Sequence, residues 1–181
     1  MSKTVTSLTP FLAQSVAHSV VVMGVSGCGK SSLAQAIAQD LGCTMLEGDA
    51  FHPAASQKKM AQGTPLTDQD RAGWLVTLGE ELAGCSDKSI VLSCSALKKN
   101  YRETLRSYKP NLHFVYLDIS PATALARVSS RAVADGHFFP ATLVDNQFAT
   151  LEVPMGEAGV LTVDATKPLA ELVAEVRSWL G

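Results

Sequence analysis

Apolar residues fall in short blocks along the chain, and the blocks alternate between strand-like runs and helical spacing. Val20-Val21-Val22-Met23 is a β-branched apolar run, the composition of a buried strand. Ser32 to Leu41 then carries apolar residues at helical spacing, and Gly42 follows as a C-cap. Cys43-Thr44-Met45-Leu46 predicts a second strand, ending in Glu47-Gly48-Asp49. Pro53 opens a short helix that Gly63 and Pro65 end. A longer helix, capped by Thr67 or Asp68, runs to about Ala83 with Trp74, Leu75, Leu78 and Leu82 as its apolar stripe. Ser89-Ile90-Val91-Leu92-Ser93-Cys94 suits a central parallel strand, and Ser95 to Arg106 reads as the helix leaving it. His113 to Asp118 predicts a fourth strand, followed by a helix that Pro121 opens and that holds Ala124, Leu125 and Val128. Pro140 begins another helix, with Leu143, Val144, Phe148 and Leu151 inward. Gly159 to Asp164 is a fifth strand, and Leu169 to Leu180 a closing amphipathic helix. Strands alternating with helices in this way predict a three-layer α/β domain built on a parallel sheet.

Length and charge narrow the classes. The 181 residues are enough for one domain with a substantial core. Residues 1–19 read as an N-terminal extension and 20–181 as the domain. A net charge of -2 and a pI near 6.1 point away from nucleic acid and from an anionic membrane. No apolar run approaches the length of a membrane span, and residues 1–19 lack the hydrophobic centre of a signal peptide. Cys28, Cys43, Cys85 and Cys94 form no C-x-x-C pair, which argues against zinc or a disulfide framework and for a reducing cytoplasm.

The chemistry concentrates at the ends of the predicted strands. Gly24-Val25-Ser26-Gly27-Cys28-Gly29-Lys30-Ser31 fits G-x-x-x-x-G-K-[ST], with a strand before it and a helix, from Ser32, after it. Glycines let successive amides turn inward onto phosphate oxygens, the helix start adds unpaired N–H donors, Lys30 brings a mobile charge, and Ser31 is placed for a magnesium ion. The bland alternative is a glycine-rich turn. Glu47 and Asp49, one residue apart in a strand, would share a face where open α/β sheets put their chemistry. One would hold the metal's water shell and the other orient a substrate hydroxyl, unless both are solvated acids of a turn. Arg71 is placed to fork onto an anion, or else pairs with Asp68 or Asp70. Lys98, Arg102 and Arg106 stand four apart and would share one helical face, either a solvated basic stripe or a grip on an anionic acceptor. Arg127 and Arg131 lie one turn apart before a glycine-containing stretch, which predicts a lid over the phosphates or an ordinary helix end. Cys28, near a helix start, is a candidate for oxidation.

Taken together, the motifs resemble one family. They are the loop Gly24 to Ser31, Gly48-Asp49-x-x-His52-Pro53, Lys59-Met60-x-x-Gly63-x-Pro65-Leu66-x-Asp68-x-Asp70-Arg71-x-x-Trp74-Leu75, Cys94-Ser95-Ala96-Leu97-Lys98-x-x-Tyr101-Arg102, Gly136-His137-Phe138, and Gln147-Phe148-x-x-Leu151-Glu152-x-Pro154. In this order they are similar to gluconokinases over nearly the whole chain beyond residue 19. The resemblance implies a P-loop NTPase fold of the shikimate kinase and nucleoside monophosphate kinase kind, a helical acceptor-binding insertion at about 50–85, and a lid at about 127–140. It implies phosphorylation of D-gluconate at its 6-hydroxyl by ATP with Mg2+, a homodimer, and a place in sugar acid catabolism. Asp49 would stand at the acceptor hydroxyl, with Lys30, Arg127 and Arg131 on the transferring phosphate. His52, Arg71, Lys98, Arg102 and His137 would meet the sugar acid. Cys28 replaces the usual serine, Ser56 an expected asparagine, and the gap from Arg131 to Gly136 is longer than usual. The alternatives are a kinase for another small hydroxy acid, shikimate-like, and a non-kinase ATP-binding switch.

Overall fold

The computed structural model describes residues 17–85, 88–135 and 140–181. Its centre is a five-stranded parallel sheet in the order β2-β3-β1-β4-β5, made of β1 (Ser19–Met23), β2 (Thr44–Glu47), β3 (Ile90–Ser93), β4 (Leu112–Asp118) and β5 (Val160–Asp164). β1 is flanked on both sides, pairing Val21 with Leu92 of β3 and with Phe114 of β4. The chain first leaves β1 toward β2 and later crosses from β3 to β4 on the other side. Such a reversal opens a crevice at the carboxyl ends of the strands.

The period-2 alternation of the central strand divides the core in two. Val20 and Val22 face a cluster with Leu33 and Ile37 of α1 (Lys30–Leu41), Val128 of α5 (Pro121–Asp135), Val144 of α6 (Ala141–Thr150), and Leu172 and Val176 of α7 (Leu169–Leu180). Val21 and Met23 face the other way, onto Trp74, Leu75, Leu78 and Leu82 of α3 (Asp68–Gly84) and Leu105 of α4 (Lys99–Tyr108). This is the three-layer arrangement that the alternating pattern predicts. A short helix, α2 (Ala54–Ala61), precedes α3.

Boundaries follow local chemistry. β1 begins at Ser19, one residue inside the stretch expected to be extension. Pro53 is the N-cap of α2 rather than its first residue. Thr67, not Asp68, caps α3: its hydroxyl accepts from the Asp70 amide while the Asp70 carboxylate accepts from the Thr67 amide, a complete capping box. The helix after β3 begins at Lys99 and not at Ser95. Ala96 sits at φ 41, a left-handed conformation that no helix continues through. No helix among the described residues is long and apolar enough to cross a membrane.

Packing of α3 on α4 sets one sharp constraint. A Cβ at Gly79 would meet the ring of Tyr108 at 2.3–2.7 Å, whereas one at Gly73, on the exposed side of the same helix, would meet nothing within 4 Å. Gly79→Ala is expected to destabilise by about 1–2 kcal/mol despite the better helix propensity of alanine. Gly73→Ala should stabilise by about 0.5–1 kcal/mol. Urea unfolding of the two variants checks the opposite signs.

Candidate active site

The phosphate loop joins β1 to α1. Gly24, Gly27 and Gly29 take φ of 140, 83 and 98, values open to glycine alone without strain. Close packing enforces two of them. A Cβ on Gly24 would lie 2.9 Å from Cys28 Sγ, and one on Gly27 would lie 2.5 Å from the carbonyl oxygen of Ala124 in α5. Gly29 is the N-cap of α1, no side chain among the described residues bonds that helix end, and its first turn holds no acid. Its N–H groups and positive dipole end are therefore left for an anion. Ser31 and Ser32 are exposed there. The Lys30 ammonium donates to the Val25 carbonyl at 2.9 Å, and the Ser26 amide donates to Oε1 of Gln147 in α6 at 2.6 Å. Cys28 is 2% exposed, its thiol turned beneath the loop, which seals it from the oxidants its position at a helix start invites.

Across the crevice, β2 ends at Glu47, and Gly48–Phe51 forms a 3-10 turn. Strand alternation stops there, so Glu47 and Asp49 do not share a strand face as their spacing predicts. Gly48 is pressed against β3: a Cβ on it would lie 2.5 Å from the Ser93 carbonyl, and its own carbonyl accepts from Trp74 Nε1 at 2.8 Å. This clamps the turn and holds the Asp49 side chain outward, 67% exposed. His52 stacks on Trp74 with centroids 4.2 Å apart and aims Nε2 at Asp49 Oδ1 from 3.9 Å. Burial lowers its pKa against the pull of Asp49, so the ring backs the carboxylate as a neutral group. It is buried rather than spread along the crevice.

Three charges converge at the end of β3. Burial pushes the Cys94 thiol up to about 12, and the charges of Asp49, Lys30 and Arg71 all reach it, the first raising and the other two lowering it. Arg71 is only 9% exposed, yet its guanidinium makes no hydrogen bond or ion pair among the described residues and lies 6.0 Å from the centre of the Tyr101 ring. The acids beside it in sequence are engaged elsewhere. Asp68 accepts from Lys98 at 2.7 and 2.9 Å and from the Tyr101 hydroxyl, and Asp70 accepts from Lys59 at 2.6 Å. These bonds hold Asp68 below the usual carboxylate range and Asp70 down at about 2. Neither acid forms an ion pair with Arg71 among the described residues, though the Arg71 charge helps to hold Asp68 down.

The basic stripe after β3 divides. Lys98 is the extended N-cap of α4, outside the helix, and lies 5.7 Å from the centre of the Tyr101 ring. Arg102 is 1% exposed and faces inward: Nε and Nη2 donate to Glu157 at 2.9 and 2.7 Å, and Nη1 to the Ala96 carbonyl at 3.1 Å. Arg106 holds the same carboxylate. Burial raises the Glu157 pKa, but the bonds from the two arginines outweigh it and the group is lowered. Arg102 therefore does not meet a substrate; it ties the Ala96 turn to residue 157. On α5, Arg127 donates to the Ala165 carbonyl at 3.0 Å, and Arg131, one turn on, is exposed. His137 lies outside the described residues. The sequence motifs contain Tyr101, Gln147 and Glu152 without assigning them roles, and read Asp68 only as a cap or a partner of Arg71. Here Asp68 and Tyr101 order Lys98, Gln147 touches the loop, and Glu152 accepts from the Lys99 amide at 2.6 Å.

Known proteins resemble the chain over most of its length. A family model described as AAA domain matches residues 20–154. The chain is 45% identical over 152 residues to the gluconokinase of Gluconobacter oxydans (strain 621H), covering 82% of this chain and 83% of that protein. It is 42% identical over 160 residues to the thermoresistant gluconokinase of Escherichia coli (strain K12), covering 87% and 90%. The crystal structure of a gluconokinase from Sinorhizobium meliloti 1021 superposes with a TM-score of 0.81 at 47% identity, covering 90% of this chain and 91% of that one. With likeness of this strength over most of each relative's length, and with the loop and facing carboxylate both in place, the chain belongs to the gluconokinase family.

Proposed function

We propose that the chain transfers the γ-phosphoryl group of ATP to the 6-hydroxyl of D-gluconate, giving 6-phospho-D-gluconate and ADP. The relatives are named for this activity. The observation that carries it to these residues is Arg71: a nearly buried guanidinium with no hydrogen bond or ion pair among the described residues, 6.0 Å from the centre of the Tyr101 ring. A buried charge of this kind calls for an anion to complete it, and the carboxylate of a sugar acid supplies one. Asp49 accepts the hydrogen of the acceptor hydroxyl and aims its oxygen at the phosphorus. The loop amides and the start of α1 hold the triphosphate, and Lys30 leaves the Val25 carbonyl to meet it. Arg127 and Arg131 extend positive charge from α5 toward the transferring group, and residues 127–140 act as a lid. Residues 50–85, with His52 and Lys98 at their edge, form the acceptor side, which His137 completes. Positioning and electrostatics supply most of the rate.

The residues present fit a magnesium ion. Ser31 is an exposed hydroxyl at the helix start, Glu47 ends the neighbouring strand, and no cluster of three acids, histidines or cysteines among the described residues competes for a metal. That sparse donor set suits an ion shared with substrate phosphates. Ser31 would hold it directly and Glu47 through water; when bound, it neutralises phosphate charge. The four free cysteines fit a cytoplasmic setting. A homodimer is the assembly that the family resemblance implies.

Incubation with ATP and, separately, gluconate, shikimate, glycerate and nucleoside monophosphates, with mass detection of products, tests the reading. Gluconate should gain one phosphoryl group and the others none. ATP consumption independent of any acceptor would instead mark a switch, and transfer to shikimate a different kinase. In the same assay Arg71→Met should raise the KM for gluconate about 10- to 100-fold, leaving that for ATP nearly unchanged.

A further inference from the structure

Two donors of the phosphate loop, one on each limb, are occupied by the protein's own oxygens. Lys30 donates to Val25, and the Ser26 amide donates to the Gln147 carboxamide oxygen, 121 residues away in sequence. The second contact is not a chance meeting of surface groups. Gln147 is half-buried, its carbonyl accepts from the Leu151 amide that ends α6, and the next residue, Glu152, donates its amide to Leu97 at 2.8 Å. Glu152 also accepts from the Lys99 amide. The end of α6 is thus fastened to the turn after β3, and that turn accepts the Gly24 amide through Ser95. Gln147 is held against the loop by both ends of one connected structure.

A neutral carboxamide oxygen thus occupies a loop amide of the kind that binds phosphate oxygens in such loops. Toward the start of α1, the Cys28 amide donates to the Val25 carbonyl at 3.4 Å, and no side-chain oxygen bonds the amides of Lys30, Ser31 and Ser32 among the described residues. Ser26 lies on the opposite limb, which starts beside the Ser95–Lys98 turn on the acceptor side. We infer that Gln147 is an internal stand-in for an oxygen of the terminal phosphate, competing for the Ser26 amide and releasing it only to a nucleotide that carries a third phosphate. Gln147 thereby sets how strongly the loop distinguishes triphosphate from diphosphate. In this role it is a positioning residue and touches no reacting atom. The inference rests on the reading of the loop as an ATP site.

Titration calorimetry with the β,γ-imido analogue of ATP and with ADP, both with magnesium, tests it. Gln147→Ala frees the amide, and the triphosphate analogue should bind about 3- to 10-fold more tightly while ADP stays within about twofold. Gln147→Glu places a permanent negative charge on the amide, so the ratio of triphosphate to diphosphate affinity should move in the opposite direction. An unchanged ratio in both variants, or weaker triphosphate binding in Gln147→Ala, overturns the inference. A parent protein that binds neither nucleotide overturns the reading of the loop itself, a separate outcome. Both variants keep the backbone bonds of α6, and matching unfolding midpoints exclude misfolding as the cause.

Discussion

Asp49→Asn is expected to reduce turnover of gluconate roughly 1,000-fold while leaving ATP binding intact. Asparagine has the size of aspartate but cannot accept a proton, and its amide offers donors where the acceptor hydroxyl needs an acceptor. The side chain is 67% exposed, so little packing is lost. The 3-10 turn that carries it is held by backbone contacts of Gly48, which the substitution does not touch. Stability should therefore stay within about 0.5 kcal/mol of the parent. ATP affinity, set by the loop between β1 and α1, should also persist. A coupled assay for ADP release with gluconate present, beside calorimetry with the imido analogue, separates the two effects. Near-normal turnover would remove Asp49 from the mechanism and leave positioning by the loop as the source of rate.

Arg102→Met carries the largest expected effect on stability, about 3–4 kcal/mol. Methionine fills much of the space but strands the Glu157 carboxylate with Arg106 alone, and leaves the carbonyls of Ala96 and Leu97 without their donor. A largely buried carboxylate left with one of its two arginines, and two carbonyls left without a donor, are the costly part. In a chain of this size the midpoint of thermal unfolding should fall by about 10 °C. Adding Glu157→Gln should recover part of that, because the stranded charge is gone. The kinetic signature distinguishes this role from a grip on substrate: KM values for ATP and gluconate should drift together, since the tied turn touches both sides of the crevice. A thermally normal variant with only its gluconate KM raised would return Arg102 to the acceptor site.

Arg102 also shows where sequence reading stops. Basic residues at four-residue spacing look the same whether they face water, a ligand or an internal acid. The acid that decides the matter, Glu157, is 55 residues away and belongs to no periodic pattern. The same holds for Gln147 and Ser26. Asp49 was legible as a candidate, but for a reason that the fold does not keep: the strand stops at Glu47, and a clamped turn rather than alternation presents the carboxylate. Arg71 had two readings until the structure engaged both of its neighbouring acids elsewhere. Five strands, their parallel order of layers and the loop were legible because each is written in local periodicity or in glycines whose conformations no other residue takes easily.

The turn from Ser95 to Lys98 accepts the loop through Gly24, the end of α6 through Leu97, and Arg102 through Ala96, while Lys98 at its end bonds Asp68 of α3. On the proposed reading, donor and acceptor chambers share one wall. Natural variation within these four positions will consequently mimic two lesions at once, and no genetic screen that selects for altered sugar preference should recover changes there without a matching penalty in nucleotide use.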